Sequence, residues 1–312
     1  MNITLIDTSV ATDNLGDEII MHACEGIVRD LFPQAYVSRV ASHEYMSHIS
    51  RDLVETSEVA ILCGTNLLSS RMRTIHKWRI RTRDVSSFGA AVLLGVGWGE
   101  YENEANTYTR WLLGRVLSPN YLQATRDSYT ITRLKGIDRR FINTACPTMW
   151  ALTPEHCKTI PATKAEDAVV TLNSWQADRE GDSALFKLLA GHYKNVFYWP
   201  QTREDVAYFE ELNPKGVVRV APQLRTYDSF LRNESVDFIG LRLHAGIRSL
   251  QRSRRTLIVA IDNRATEISK DTNLPVVARG DLKAIESWIT TSSPTKIQLP
   301  EAAIASWKQQ LQ

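Results

Sequence analysis

The stretch SVDFIGLRLHAGIRSL, residues 235–250, changes from the pattern of a strand to the pattern of a helix within one short turn. Its first half is a continuous apolar run typical of a buried strand, and its second half has leucine and isoleucine at helical spacing. Arg242, Leu243 and His244 therefore fall at the turn. In an open parallel α/β sheet this turn lies at the carboxyl edge, where ligands bind and helix N-termini attract anions. Arg242 and His244 thus predict a site for a phosphorylated substrate.

Strand and helix patterns alternate along the whole chain, which indicates doubly wound parallel sheets in an α/β fold. Several of the strands are continuous apolar runs of the kind that buried parallel strands show. The predicted strands are 3–7, 35–41, 59–63, 90–96, 121–125, 168–172, 196–199, 217–220, 236–240, 256–261 and 276–278. The predicted helices are 17–31, 43–54, 72–85, 106–117, 183–192, 203–212, 223–232, 281–289 and 301–311, and the quoted stretch supplies one more.

The alternation is interrupted at residues 153–166, where prolines, lysines and threonines predict a linker between two domains. We therefore predict an N-terminal Rossmann-like domain over residues 1–155 and a C-terminal one over 166–298. Residues 299–312 predict an amphipathic helix that packs back on the first domain. Two Rossmann-like domains that face each other across a cleft are the simplest architecture for this pattern.

Composition and charge narrow the class of protein. The 312 residues are 43% hydrophobic and 23% charged, with a formal net charge of +2, which suits a globular protein and argues against a general polyanion binder. The four cysteines form no C-x-x-C pair, so we expect reduced thiols in the cytoplasm. We expect no signal peptide, and the apolar runs fall short of the about 20 residues that a membrane helix needs. Any membrane contact is therefore expected to be peripheral.

Turns with glycine follow three of the predicted strands: DNLGDEII at 13–20, CGTNLL at 63–68 and LGVGWGE at 94–100. Glycine lets the backbone approach a ligand closely, and Asp17 is suited to cap the helix that follows. These segments could equally be plain structural turns, and both interpretations stay open. The motifs G-x-G-x-x-G and G-x-x-x-x-G-K-[ST] are absent, so neither nucleotide-binding fingerprint is present.

Arg126 and Asp127, within ATRDS at 124–128, end another predicted strand. The guanidinium fork matches a carboxylate or a phosphate, whereas a surface Arg–Asp pair is the structural alternative. We favour a functional Arg126, because Arg242 occupies the equivalent edge in the other domain. His244 is favoured as a general acid, since a nearby anion would stabilise its imidazolium form.

No metal site is predicted. His43 and His48 are five residues apart, so the H-E-x-x-H motif is absent, and so is any D-x-D triplet.

Two basic clusters, RMRTIHKWRIRTR at 71–83 and RSLQRSRR at 248–255, are interpreted as solvated helix faces. Trp78 and Ile80 in the first cluster also permit docking on an anionic membrane surface or on a diphosphate-linked lipid. Nucleic acid is not expected as a partner, because neither cluster carries a recognised binding motif or a stacking platform.

Taken in order, these segments resemble the polysaccharide pyruvyl transferase family. The resemblance rests on N-x-G-D at Asn14, Gly16 and Asp17, the glycine turns at Gly64 and Gly95, Arg126-Asp127-Ser128, R-L-H-A at 242–245 and IDNRATE at 261–267. It implies a two-domain fold like that of GT-B glycosyltransferases, with phosphoenolpyruvate as donor and a pair of sugar hydroxyls as acceptor. The chain departs from the family where Arg264 replaces a lysine after Asp262, and where TACPT at 144–148 lacks an aspartate.

The resemblance also implies an activity. The enolpyruvyl group of phosphoenolpyruvate would move onto a sugar of a polysaccharide or its precursor and form a pyruvate ketal, in exopolysaccharide or cell-surface glycan biosynthesis. Arg126 and Arg242 would hold the phosphate and the carboxylate, and His244 would protonate the enol carbon. The first domain would form the acceptor side and part of the donor site, and the second domain the donor site. The other implied substrate-binding residues are Asn14, Gly16, Asp17, Gly64, Thr65, Asn66, Gly95, Gly97, Asp127, Leu243, Asp262 and Arg264.

The expected partners are phosphoenolpyruvate and a glycan or lipid-linked saccharide, with peripheral contact at the inner face of the membrane. No cofactor is expected besides the donor substrate. One alternative is a GT-B glycosyltransferase that uses a nucleotide sugar, although no E-x7-E pair occurs from Glu166 onward. Another is a non-catalytic glycan-binding protein built on the same fold.

Overall fold

A computed structural model of the chain describes residues 1–89 and 91–312. Its named strand pairs are parallel, and helices alternate with the strands, which confirms the predicted α/β class. The strands are β1 (Asn2–Asp7), β2 (Tyr36–Ala41), β3 (Val59–Cys63), β4 (Ala91–Leu94), β5 (Gln123–Thr125), β6 (Phe141–Asn143), β7 (Asp167–Val170), β8 (Val196–Tyr198), β9 (Val217–Arg219), β10 (Val236–Gly240), β11 (Thr256–Ala260) and β12 (Val276–Ala278).

The helices are α1 (Leu15–Leu31), α2 (His48–Glu55), α3 (Thr107–Val116), α4 (Ser128–Arg133), α5 (Pro154–Cys157), α6 (Arg179–His192), α7 (Arg203–Leu212), α8 (Leu224–Asn233), α9 (Leu243–Gln251), α10 (Asn263–Thr272), α11 (Leu282–Thr290) and α12 (Glu301–Gln309). Within the described residues, none of these helices is both long and apolar enough to cross a membrane.

The chain divides into two compact units. The first unit contains residues 1–12, 20–150 and 299–312, and the second unit contains residues 13–19 and 151–298. The first unit thus ends at residue 150 in this part of the chain, and the sequence analysis placed the end of the first domain at residue 155. Residues 13–19, which form the turn before α1 and the start of that helix, group with the second unit, and the sequence pattern does not show this.

The first unit is built on a four-stranded sheet with the order β2-β1-β3-β4. β3 and β4 are buried at every described position, which explains their uninterrupted apolar sequences. A bridge between Val96 and Thr125 joins the end of this sheet to the short pair β5 and β6. Helix α12 belongs to the same unit, where Trp307 is fully buried and donates its indole N–H to the Leu93 carbonyl at 3.1 Å.

The second unit is built on a six-stranded sheet with the order β12-β11-β10-β7-β8-β9. This is the Rossmann order, in which the winding reverses between β7 and β10. Strand β10 pairs with both β7 and β11 and is buried throughout, as the apolar half of residues 235–250 predicts. Ligands bind beyond the carboxyl ends of the strands at such a reversal, so the turn that follows β10 occupies the expected binding position.

The prediction of a helix over residues 72–85 is wrong. The segment consists of turns followed by a 3-10 helix over Thr82–Ser87. Met72, Trp78 and Ile80 are nevertheless buried, but their spacing does not fit one face of a helix. Burial of these three side chains therefore holds the segment in an irregular conformation.

Smaller differences concern element boundaries. The helix predicted from residue 43 begins only at His48, where the Ser47 side chain accepts the Ser50 N–H as an N-cap. The strand predicted at 90–96 is observed as β4, and Ala90 lies outside the described residues. Strand β6 and helices α4, α5 and α10 were not predicted, because they are short or lack a regular apolar pattern.

Removal of the Trp307 side chain should destabilise the first unit. Trp307→Ala is expected to lower the free energy of unfolding by about 3–5 kcal/mol, since it leaves a large cavity and an unpaired Leu93 carbonyl. Trp175, which is 90% exposed, provides the control, and Trp175→Ala should change stability by less than about 0.5 kcal/mol. Urea unfolding of both variants measures the difference. Equal effects of the two substitutions would contradict the packing described for α12.

Candidate active site

Arg242 occupies the turn between β10 and α9 in the second unit and serves as the N-cap residue of α9. Its backbone N–H donates to the Thr171 hydroxyl at 3.1 Å, and its Nε donates to the Leu172 carbonyl at 3.0 Å. Both acceptors lie just after β7, the strand on the other side of the winding reversal. Arg242 is therefore fixed at the binding position that the sheet order indicates.

A buried carboxylate that the sequence analysis missed holds the Arg242 side chain. Asp205, in the first turn of α7, is fully buried and accepts Nη2 of Arg242 at 2.5 Å and Nε at 3.1 Å. It also accepts the backbone N–H groups of Ser174 at 3.0 Å and Gln201 at 3.3 Å. An acidic residue in the first turn of a helix is common and gave no separate signal in the sequence. Asp205 thus orients the arginine that was predicted to bind an anion.

A small polar cavity of about 20 Å³ lies beside Arg242 in the second unit. Seven of the predicted site residues line it: Asn14, Gly16, Arg242, Leu243, His244, Asp262 and Arg264. The volume is enough for about one water molecule. The structure therefore brings together residues that lie far apart in the sequence, but it leaves little room between them.

His244 lies in the first turn of α9, where its side chain is buried to 5% exposure and lines the cavity. The first turn of a helix presents backbone N–H groups, which favour an anion. A proton donor at this position would therefore meet an anionic ligand. The predicted role of His244 as general acid stays a prediction.

Gln201 is a second residue that the sequence analysis missed. It follows β8, is only 2% exposed and lines the same cavity. Its carbonyl accepts the Leu15 N–H at 3.0 Å, but its side-chain Nε2 is buried without a hydrogen-bond partner in the described part of the chain. An unsatisfied buried donor is costly, so an acceptor on a ligand would stabilise this position.

Asp262 and Arg264 form a local pair at the start of α10. Asp262 accepts the Arg264 backbone N–H at 2.9 Å as an N-cap, and its other oxygen accepts Nε at 2.8 Å and Nη2 at 2.6 Å of the same residue. Burial disfavours the guanidinium cation, but the Asp262 and Asp17 carboxylates outweigh this effect and raise the pKa of Arg264. Arg264 therefore stays cationic beside the cavity.

Asn14 and Asp17 form the turn before α1. The Asn14 side chain accepts the Gly16 N–H at 3.0 Å and donates to Asp17 at 3.3 Å. Asp17 is buried but does not line the cavity, so its predicted contact with substrate stays a prediction.

Arg126 follows β5 in the first unit, and its side chain is almost completely buried. Its Nε donates to Asp127 at 3.0 Å, whereas Nη1 and Nη2 are buried with no hydrogen-bond partner among residues 1–89 and 91–312. Asp127 is the N-cap of α4 and accepts the Thr130 N–H at 2.7 Å and its hydroxyl at 2.6 Å. One oxygen of Asp127 therefore contacts the Arg126 guanidinium, and two nitrogens of that guanidinium have no acceptor.

Gly97 makes room for this guanidinium. A Cβ at position 97 would lie 2.2 Å from the Arg126 Cζ, which no real contact allows. Gly97 thus packs against Arg126, and its predicted close approach to substrate stays a prediction. Any larger residue at position 97 would displace the arginine.

The other glycine turns also have packing roles. Gly64 and Gly95 have positive φ angles of 48° and 65°, and a Cβ at either position would lie 2.1 Å from Ile20 or Pro147, respectively. The Thr65 carbonyl accepts the Gly97 N–H at 2.9 Å. The predicted substrate contacts of Gly64, Thr65 and Gly95 stay predictions.

Further buried polar atoms without partners follow the strands of the first unit. Thr8 follows β1, Ser42 follows β2, and Asn66 and Ser69 follow β3. Each has a buried side-chain oxygen that no described residue satisfies: Oγ1 of Thr8, Oγ of Ser42, Oδ1 of Asn66 and Oγ of Ser69. Asn66 uses its amide nitrogen to contact the Gly99 carbonyl at 3.1 Å. The carboxyl edge of this sheet is therefore polar and incompletely satisfied.

The predicted site residues thus form two groups, one in each unit. Asn14, Gly16, Asp17, Arg242, Leu243, His244, Asp262 and Arg264 belong to the second unit, and Gly64, Thr65, Asn66, Gly95, Gly97, Arg126 and Asp127 belong to the first. The predicted opposition of Arg126 and Arg242 across a cleft stays a prediction. Over the described ranges, no three histidine, cysteine or acidic side chains are grouped so that they could hold a metal ion.

The chain was compared with known proteins and structures. The sequence model of the family described as polysaccharide pyruvyl transferase matches residues 14–263. No curated protein matches the chain.

Several solved structures share the fold. A crystal structure of UDP-N-acetylglucosamine 2-epimerase superposes with a TM-score of 0.51 at 11% identity, and the match covers 99% of this chain and 90% of that one. The S. aureus MnaA-UDP co-structure gives a TM-score of 0.50 at 9% identity, covering 94% and 91% of the two chains. At such identities the likeness shows the fold alone, and it confirms the predicted GT-B-like class. Because the family model spans most of the sequence, the chain is a transferase that belongs to the polysaccharide pyruvyl transferase family.

Proposed function

We propose that the protein transfers the enolpyruvyl group of phosphoenolpyruvate to a sugar of a polysaccharide or its precursor, where it forms a pyruvate ketal. The acceptor would be a glycan or lipid-linked saccharide used in exopolysaccharide or cell-surface glycan biosynthesis. The protein would act in the cytoplasm, with peripheral contact at the inner face of the membrane. Family membership supports the reaction type, and the donor is inferred from the site.

The unsatisfied guanidinium of Arg126 carries this proposal. Asp127 pairs with this buried cation but contacts only its Nε, and buried N–H donors without an acceptor are costly. The free nitrogens Nη1 and Nη2 form a rigid fork that matches two oxygens of a phosphate or a carboxylate. Phosphoenolpyruvate carries both groups, so its binding would supply the missing partner.

The second unit would supply a further anion contact and the proton. The Gln201 amide and the N-terminus of α9 provide donors, while Arg242 and Arg264 are already paired with carboxylates. Arg264 is held by the neighbouring Asp262, and a donor phosphate could replace that carboxylate as its partner.

The proposed reaction needs one proton donor and two hydroxyl groups. His244 gives its proton to the methylene carbon of phosphoenolpyruvate, and charge develops at the adjacent carbon. Two sugar hydroxyl oxygens bond to that carbon, and the bond to the phosphate oxygen breaks. One hydroxyl proton returns to His244 and the other leaves with the phosphate, so the products are the ketal and inorganic phosphate.

The unsatisfied polar edge of the first unit suits the acceptor. Thr8, Ser42, Asn66 and Ser69 present hydrogen-bonding atoms of the kind that pair with sugar hydroxyls. This supports the predicted assignment of the acceptor side to the first domain.

Substitution of His244 tests the proposed chemistry. With phosphoenolpyruvate and a panel of glycan acceptors, the wild-type protein should release phosphate, and His244→Gln should lower kcat by about 10²- to 10⁴-fold. Stabilisation of His244→Gln by phosphoenolpyruvate should persist, because the variant keeps the anion contacts. His48→Gln, at a position with an 80% exposed side chain, is the matched control and should retain full activity. Phosphate release by His244→Gln at the wild-type rate would refute the acid role.

Arg126 and Gly97 should be needed for donor binding. Arg126→Lys keeps the charge but loses the fork, and Gly97→Ala displaces the guanidinium, so each should weaken phosphoenolpyruvate binding about 10- to 100-fold. Gly114→Ala is the control, since a Cβ there meets no atom within 4 Å. The readout is the shift in Tm with phosphoenolpyruvate, which binding to the folded state produces. If Arg126 and Gly97 were only structural, the variants would have a lower Tm without ligand, and phosphoenolpyruvate would still raise their Tm as much as that of the wild type. If a nucleoside diphosphate raised the Tm of the wild-type protein more than phosphoenolpyruvate does, a nucleotide-sugar enzyme would be favoured.

Gln201 should act as a donor-binding residue. Gln201→Leu removes an amide that has no partner in the free protein, so its Tm should change little, while phosphoenolpyruvate affinity should fall about tenfold or more. Gln201→Glu places a carboxylate beside the cavity and should weaken binding further, because the donor is an anion. Titration calorimetry of both variants measures the effect. Wild-type affinity in Gln201→Glu would show that the side chain does not face the donor.

A further inference from the structure

In residues 71–83 of the first unit, apolar side chains are buried and arginine side chains are exposed. Met72, Trp78 and Ile80 are buried to 5% exposure or less. The arginines of the segment are all exposed: Arg71, Arg73, Arg79, Arg81 and Arg83. Because the buried residues fix the backbone, the arginines are displayed on a defined surface.

The second basic cluster differs. Arg248 and Arg252 contact Asp228 at 2.5 and 2.9 Å, and the buried Arg255 contacts Asp237 at 2.8 Å. These cations hold the second unit together. Two clusters that look alike in the sequence therefore have different roles, and only the first presents its charge to solvent.

Aromatic rings orient the exposed arginines. The guanidinium groups of Arg79 and Arg81 lie 5.6 and 4.0 Å from the Tyr45 ring, and that of Arg73 lies 5.8 Å from the Tyr108 ring. These contacts leave the positive charge uncompensated.

Carboxylates near this surface have other partners. Asp84 is fully buried, approaches Arg83 only at 4.0 Å and is contacted by Arg51 at 3.3 Å. On α2, Glu55 accepts the Ser87 hydroxyl at 2.7 Å and Asp52 contacts His48 at 3.1 Å, while Glu44 is exposed beside Tyr45. Asp84 also accepts the Arg81 backbone N–H at 2.9 Å, but the guanidinium groups of Arg73, Arg79 and Arg81 form no salt bridge with a carboxylate in the described part of the chain.

Two large apolar side chains are exposed on the helices that pack against the end of this segment. Ile49 on α2 is 65% exposed, and Trp111 on α3 is 41% exposed with its ring 5.7 Å from that of Tyr108. Both helices pack against the 3-10 helix that carries Arg83. Exposed tryptophan and isoleucine beside uncompensated arginines are typical of proteins that lie on a membrane interface.

We propose that this basic surface, formed by Arg73, Arg79, Arg81, Arg83, Ile49 and Trp111, docks the first unit on an anionic phospholipid bilayer. The arginines would meet lipid phosphates, and the two apolar side chains would enter the headgroup region. The sequence analysis considered Trp78 and Ile80 as the apolar side chains that contact a membrane, which is wrong because both are buried. The docking does not depend on the donor chemistry proposed above.

Vesicle sedimentation tests this docking. The wild-type protein should bind vesicles rich in phosphatidylglycerol and not vesicles of pure phosphatidylcholine, and added salt should weaken binding. Each arginine near the surface contributes about fivefold to the partition coefficient, so the triple variant Arg79→Gln/Arg81→Gln/Arg83→Gln should lose about 100-fold. Trp111→Ser should also reduce binding. The control Lys215→Gln/Arg225→Gln/Arg232→Gln removes three exposed charges from the second unit and should bind like the wild type.

Several results would overturn the proposal. These are equal binding to both kinds of vesicle, wild-type binding by the triple variant, or retention on an anionic polysaccharide without binding to vesicles. The triple variant should bind phosphoenolpyruvate as the wild-type protein does, because these arginines lie outside the proposed donor site. Vesicle binding without pyruvyl transfer would refute only the proposed function, and transfer without vesicle binding would refute only the docking.

Discussion

The carboxylate of Asp205 connects the loops that follow three parallel strands of the second unit. It accepts hydrogen bonds from Arg242 after β10, Ser174 after β7 and Gln201 after β8. Parallel strands deliver their ends to one edge of a sheet, and a fully buried carboxylate is stable there only with several donors. Together with the Thr171 hydroxyl and the Leu172 carbonyl, this carboxylate holds Arg242 and with it one wall of the cavity.

The arginines of the two units differ in how completely their guanidinium groups are hydrogen-bonded. In the second unit Arg242, Arg255 and Arg264 each contact a carboxylate, and among their guanidinium nitrogens Nε of Arg255 is buried with no partner in the described part of the chain. In the first unit Arg126 has two buried nitrogens with no partner among the described residues. A ligand anion would relieve that cost, and Gly97 maintains the space in which the guanidinium lies. This difference is the physical reason to place part of the donor site beside Arg126.

The sequence predicted the fold better than the site. Apolar runs such as those of β3 and β10 were predicted at their observed bounds, because residues buried on both faces leave a clear signal. The helix predicted at 72–85 was wrong, since periodicity cannot show that burial of Trp78 overrides helix formation. Asp205 and Gln201 were missed, because their importance lies in partners brought close only by the folded sheet. The role of Gly97 likewise depends on the position of Arg126.

A crystal structure with phosphoenolpyruvate bound would test the central claim most directly. The account predicts that a phosphate or carboxylate group of the donor lies within hydrogen-bond distance of Nη1 and Nη2 of Arg126. A donor bound elsewhere, with the two Arg126 nitrogens still unsatisfied, would contradict it.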